Sequence, residues 1–86
     1  MNVADIEERV STFITQNRGL ATLDRNAELF KHRLVNSMFV LQLITFVQKE
    51  FSLSIEDVDL DFENFSSVFN ISSFVCRKLG SVGATP

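Results

Sequence analysis

The chain has 86 residues, 45% of them hydrophobic, with nine Phe and neither Trp nor Tyr; this suits one domain, which buries only about 60–65% of the surface its unfolded form exposes. Its net charge of −3 and pI of about 4.9 argue against nucleic acid, which wants a basic face. A single cysteine, Cys76, excludes an internal disulfide and a zinc cluster; no apolar run reaches the roughly 18 residues of a membrane span, and the acidic stretch Met1 to Arg9 does not read as a signal peptide.

A small chain without disulfides is expected in a reducing compartment, here the cytoplasm, and as a monomer. Apolar residues at Val3, Ile6, Val10, Phe13 and Ile14 predict a first helix from Asn2 to Gln16. Asn2 suits its N-cap, Asp5, Glu7 and Glu8 suit its positive end, and Gly19 ends it. Residues 17–35 form a long connection, in which Asp24 to Phe30 is expected to hold one helical turn. Leu20, Leu23, Leu29, Phe30 and Leu34 can pin this loop to a core.

The second helix starts at Asn36-Ser37 and runs from Met38 to Phe51. Val40, Leu43, Ile44, Val47 and Phe51 make its buried stripe. Met38, Phe39, Leu41 and Phe46 fall outside that stripe, so the helix is apolar nearly all round. Such a helix is either deeply buried or meets a partner; a chain of this size can hardly surround it, so part of that surface is expected to be exposed. Five acids follow between Glu56 and Glu63, interleaved with apolar residues. The alternation from Val58 to Phe62 resembles a strand without partners, so a short helical turn before Phe65 is expected instead. The last helix opens near Ser66-Ser67 and buries Val68, Ile71, Phe74, Val75 and Leu79. Gly80 is its expected C′ residue, with residues 80–86 a flexible tail. The fold expected is all-α: three main helices and one or two short turns in a small bundle.

Catalytic constellations are absent. His32, the one histidine, lies between Lys31 and Arg33 in a loop, and Cys76 reads as a small hydrophobe on the last helix. The acids of residues 56–63 lack the glycine and ligand spacing of a calcium loop. Ser37 stands apart. As a first-turn or N-cap serine it needs no function. Yet a group attached there would sit at the positive end of a helix, which suits a phosphodiester. Met38, Phe39 and Leu41 add apolar surface beside it. An anion site with an apolar neighbour suits a covalent phosphate arm and a docking protein.

Over residues 3–79 the chain resembles acyl carrier proteins. The likeness rests on Leu29-Phe30, Leu34-Val35-Asn36-Ser37-Met38, the apolar helix ending in Glu50-Phe51, then Ile55, the acidic stretch and Phe65-Ser66-Ser67-Val68 with Ile71. Carriers have a Gly/Leu-x-Asp-Ser-Leu signature at this place. The resemblance implies a four-helix bundle with a short third helix and no catalysis of its own, spanning residues 1–79. It implies 4′-phosphopantetheine, joined to Ser37 from coenzyme A by a phosphopantetheinyl transferase, with Asn36 and Met38 framing the arm. The arm's thiol would hold an acyl group as a thioester. Met38, Phe39, Leu41 and Gln42 would dock partner enzymes, and Glu56 and Asp57 could add charge. Two departures stand out: Asn36 replaces the usual Asp, and the second helix has no acid before Glu50. Docking there should be more apolar and less salt-sensitive than in most carriers.

One subgroup comes nearer. Residues 35–39, 42–47 and 59–65 are similar to freestanding carriers that load a glyceryl unit for alkoxymalonyl-type polyketide extenders, as in antibiotic biosynthesis. The implied partners are an acyl-loading enzyme, acyl-modifying enzymes, and a polyketide synthase acyltransferase or ketosynthase. A short acyl, aminoacyl or peptidyl carrier of another secondary-metabolite pathway is the competitor within the class, and an unmodified helical interaction module the competitor outside it.

Overall fold

Helix α1 spans Val3–Arg18 in a computed structural model that describes residues 2–31 and 36–84, with side chains up to residue 80. Asn2 caps α1 as expected: its Oδ1 accepts the Asp5 N–H at 2.9 Å. Gly19 ends it at φ +67°, in the left-handed region that glycine enters without a Cβ clash. Ile6, Val10 and Ile14 are fully buried, and Phe13 packs at the edge of the core.

The connection after α1 is not helical over Asp24 to Phe30. The Asp24 side chain accepts the Asn26 N–H at 2.7 Å, and the Asp24 carbonyl accepts the Ala27 N–H at 3.1 Å. A short polar side chain that captures a nearby N–H favours a turn over a helix, which is why the expected helical turn does not form. The loop is nonetheless tied down. Leu29 is fully buried and donates its N–H to the Ser66 carbonyl at 2.8 Å. Arg25 pairs with Glu7 of α1 and lies 4.9 Å from the Phe69 ring centre. Leu23 and Phe30 pack against the core. His32 and Leu34 lie outside the described residues.

Helix α2 spans Ser37–Phe51. Its buried row is Phe39, Leu43, Val47 and Phe51, spaced by four; Val40 and Ile44 are only partly buried. The expected stripe is thus rotated toward Phe39. On a helix apolar nearly all round, periodicity does not single out a face; the packing partner does. Here the partner is Phe13, whose ring stacks on Phe46 at 4.2 Å and on Phe39 at 5.7 Å. Ser52 closes the helix at φ +52°.

Two single 3-10 turns follow, Asp57–Asp59 and Phe62–Phe65. The second is the turn expected before Phe65. Helix α3 then runs Val68–Ala84, and Ser67 Oγ accepts the Asn70 N–H at 3.0 Å at its start. Val68, Ile71, Phe74 and Val75 are buried as expected, and Leu79 is partly buried. Gly80 does not end α3. It has no left-handed φ, and the helix continues through it. The described residues therefore form an all-helical fold with three α-helices and no strand. α1 packs closely on α3, while Phe rings fill the space between α1 and α2.

Candidate functional site around Ser37

Asn36 and Ser37 meet at the start of α2. Asn36 is the N-cap: its backbone is extended, and its Oδ1 accepts the Phe39 N–H at 2.9 Å. Its carbonyl accepts the Val40 N–H at 2.9 Å. Ser37 is the first helical residue and is exposed. Its own N–H and that of Met38 belong to the first turn, whose donors lack acceptors within a helix. The Ser37 hydroxyl thus stands in solvent at the positive end of a 15-residue helix that has no acid in its first turn.

Beside it lies a cleft of about 230 Å³. Ser37, Val40, Leu41 and Ile44 of α2 form one side, and Leu60, Asp61, Phe62 and Phe65 the other, with Phe30 completing it. Phe30 and Phe62 meet edge to face at 5.1 Å. The walls are apolar apart from Ser37 and Asp61. Met38 and Leu41 are 73% and 66% exposed, so both present apolar surface next to the serine.

The structure separates the residues expected to act together. Asn36, Ser37, Met38 and Leu41 lie at one place. Phe39 does not belong with them: it is 4% exposed, stacked on Phe13 and covered by Arg18 at 5.5 Å from its ring centre. It is a core residue and not part of a docking face. Gln42 is exposed and lines a second cleft between α1 and α2 with Phe13, Asn17, Thr45 and Phe46; Leu41 borders both clefts. Glu56 and Asp57 are exposed at the first 3-10 turn and do not line the cleft beside Ser37.

The far wall was not expected. Leu60 and Phe62 of that wall, and Val58 just before it, are all more than half exposed. The strand-like alternation from Val58 to Phe62 was the signal for them: it places three apolar side chains among acids on a segment that has no sheet to join. Asp59, between them, turns the other way. Its carboxylate accepts from Lys78 Nζ of α3 at 2.8 Å and from the Glu56 N–H at 3.0 Å. The Lys78 hydrogen bond, followed by the one from Glu56, holds this carboxyl below the ordinary aspartate value against the opposing effect of burial. Cys76 is partly buried against the core with no disulfide partner. Among the described residues no cluster of acids, His and Cys could hold a metal ion, and no helix is long and apolar enough to cross a membrane.

Compared with models of known protein families and with curated protein sequences, the chain matches none.

Proposed function

We propose that the chain is a freestanding acyl carrier protein, with Ser37 the attachment point of 4′-phosphopantetheine. The observation that carries this reading is the exposed Ser37 hydroxyl at the first position of α2, with an apolar cleft opening beside it. The residues fit such an arm. A phosphodiester on Ser37 Oγ would sit at the helix's positive end, near N–H groups that need acceptors. Asn36 keeps its side chain occupied with the Phe39 N–H and so holds the first turn in shape. Leu41, Leu60 and Phe62 offer apolar surface along which an extended arm can lie. When attached, the arm supplies a thiol that carries an acyl group as a thioester.

In loading, the Ser37 hydroxyl forms a phosphodiester as the pyrophosphate of coenzyme A breaks; adenosine 3′,5′-bisphosphate leaves, and the hydroxyl proton passes to the transferase. Asn36 in place of Asp removes one negative charge from this spot but leaves the cap intact, since Asn and Asp cap about equally well. The bundle would be of carrier type, with the two 3-10 turns standing in place of a short third helix. Met38 and Leu41 are the apolar docking residues, and Glu56 and Asp57 form a separate acidic edge for a basic partner rim. The cargo we favour is a glyceryl-derived extender unit for a polyketide synthase, on the likeness of residues 35–39, 42–47 and 59–65.

An unmodified interaction module would use the same exposed Met38 and Leu41. Ser37→Ala separates the two readings. A carrier loses acceptance of phosphopantetheine from coenzyme A and keeps its helical circular dichroism; an interaction module shows no acceptance in either protein, and its partner binding survives the substitution.

A further inference from the structure

The segment from Ser52 to Phe65 is pinned by apolar side chains at its ends and by charge in its middle. Leu53 and Ile55 pack on the core at one end, and Phe65 is buried at the other. Between them Val58, Leu60 and Phe62 stay exposed, and Phe62 touches the rest of the chain through the edge contact with Phe30. Burial therefore gives the middle of the segment little hold. Polar bonds supply it. Lys78 Nζ donates to Asp59 at 2.8 Å. The Asp59 carbonyl accepts from the Asn64 side chain at 2.9 Å, and Asn64 Oδ1 accepts from the Arg77 guanidinium at 3.1 Å. The Asp59 and Lys78 side chains are 16% and 24% exposed, so this pair is shielded more than an ordinary surface pair and fixes geometry better.

We infer that Asp59 and Lys78 are positioning residues for the cleft beside Ser37. They anchor to α3 the strap that carries Leu60, Asp61 and Phe62, the cleft's far wall. With the pair broken, the strap moves away from α2 and the cleft opens to water. This rests on the cleft's geometry and not on the carrier reading, so each can fail without the other.

The test places a reporter at the cleft mouth. Ser37→Cys with Cys76→Ser leaves one thiol, which is alkylated with monobromobimane, a fluorophore whose emission reports the polarity around it. Adding Lys78→Met should move the emission toward its value in water. It should also speed amide exchange at Leu60 and Asp61 by about tenfold or more, while Val10 and Leu43 in the core stay unchanged. Lys78→Arg, which keeps the ion pair, should restore both readings. Should Lys78→Met fail to fold, Asp59→Asn gives a smaller shift in the same direction, because it removes the charge of the pair while keeping an acceptor for the Glu56 N–H and for Lys78. Unchanged emission and exchange in a folded variant would overturn the inference. So would equal acceleration at Val10 and Leu43, which would make the pair a general stabiliser.

Discussion

Asn36 holds the start of α2 with its side chain amide oxygen, where a carboxylate would have brought a charge as well. Asn36→Ala should therefore cost about 1 kcal/mol, seen as a fall in melting temperature of roughly 4–8 °C for a domain of this size. Asn36→Asp should keep the cap and gain about 0.3–1 kcal/mol from the helix dipole. A wild-type melting point for Asn36→Ala would mean that the side chain does not cap the helix. Phe39 and Leu41 make a second contrast two residues apart. Phe39→Ala should cost about 3–5 kcal/mol, because it empties a packed aromatic site. Leu41→Ala should stay within about 0.5 kcal/mol, as exposed positions do. Thermal melts of both variants decide which one is core. Leu41→Glu is then the clean probe of docking: it should fold normally and lose turnover with a partner enzyme.

At the scale of elements, the ends of α2 differ in quality. The N-terminus is well capped, but the C-terminus closes on Ser52 at φ +52°, a conformation that a residue with a Cβ adopts at a cost. Ser52→Gly should stabilise the fold by about 0.5–1 kcal/mol, measurable by denaturant titration; a loss of stability would mean that the serine side chain contributes something the backbone geometry does not reveal. The helices that face one partner surface were legible in the sequence. α1 and α3 have clear apolar stripes, and their buried apolar residues fall on them. α2 was legible in extent but not in rotation, because apolar residues on several faces leave the choice to Phe13, a residue far away in the chain. The cleft's far wall was harder still. Leu60 and Phe62 stay more than half exposed, and Lys78, which pairs with the neighbouring Asp59, is connected with it by no local pattern. Gly80 shows the reverse error: a glycine after two cations has the composition of a helix end, yet α3 continues through it.

At the scale of the whole molecule, the same ion pair makes stability depend on acidity. Asp59 is held below its ordinary value of 3.8, first by Lys78 from α3 and then by the Glu56 N–H of its own segment, against the opposing effect of burial; the neighbouring acids Asp57 and Asp61 are exposed. The folded state thus favours the charged form. Its contribution is complete above the ordinary value and is lost as the pH falls through the lower folded value. The stability difference between wild type and Lys78→Met should persist near about pH 6 and shrink as the pH falls to about 3. A difference constant across that range, in denaturant titrations of both proteins, would mean that the pair contributes no linkage.

The carrier reading turns on one hydroxyl, and one measurement reaches it directly. The folded protein is incubated with coenzyme A and a broad-specificity phosphopantetheinyl transferase, and then its intact mass and its tryptic peptides are read. Trypsin releases residues 34–49 as one peptide, in which Ser37 and Thr45 are the only hydroxyl residues. The reading predicts a gain of one phosphopantetheine on that peptide, fragment ions that place it on Ser37, and no gain in Ser37→Ala. An unchanged mass with two different transferases, in a sample shown by circular dichroism to be folded, would contradict it and leave Met38 and Leu41 as the surface of an interaction module.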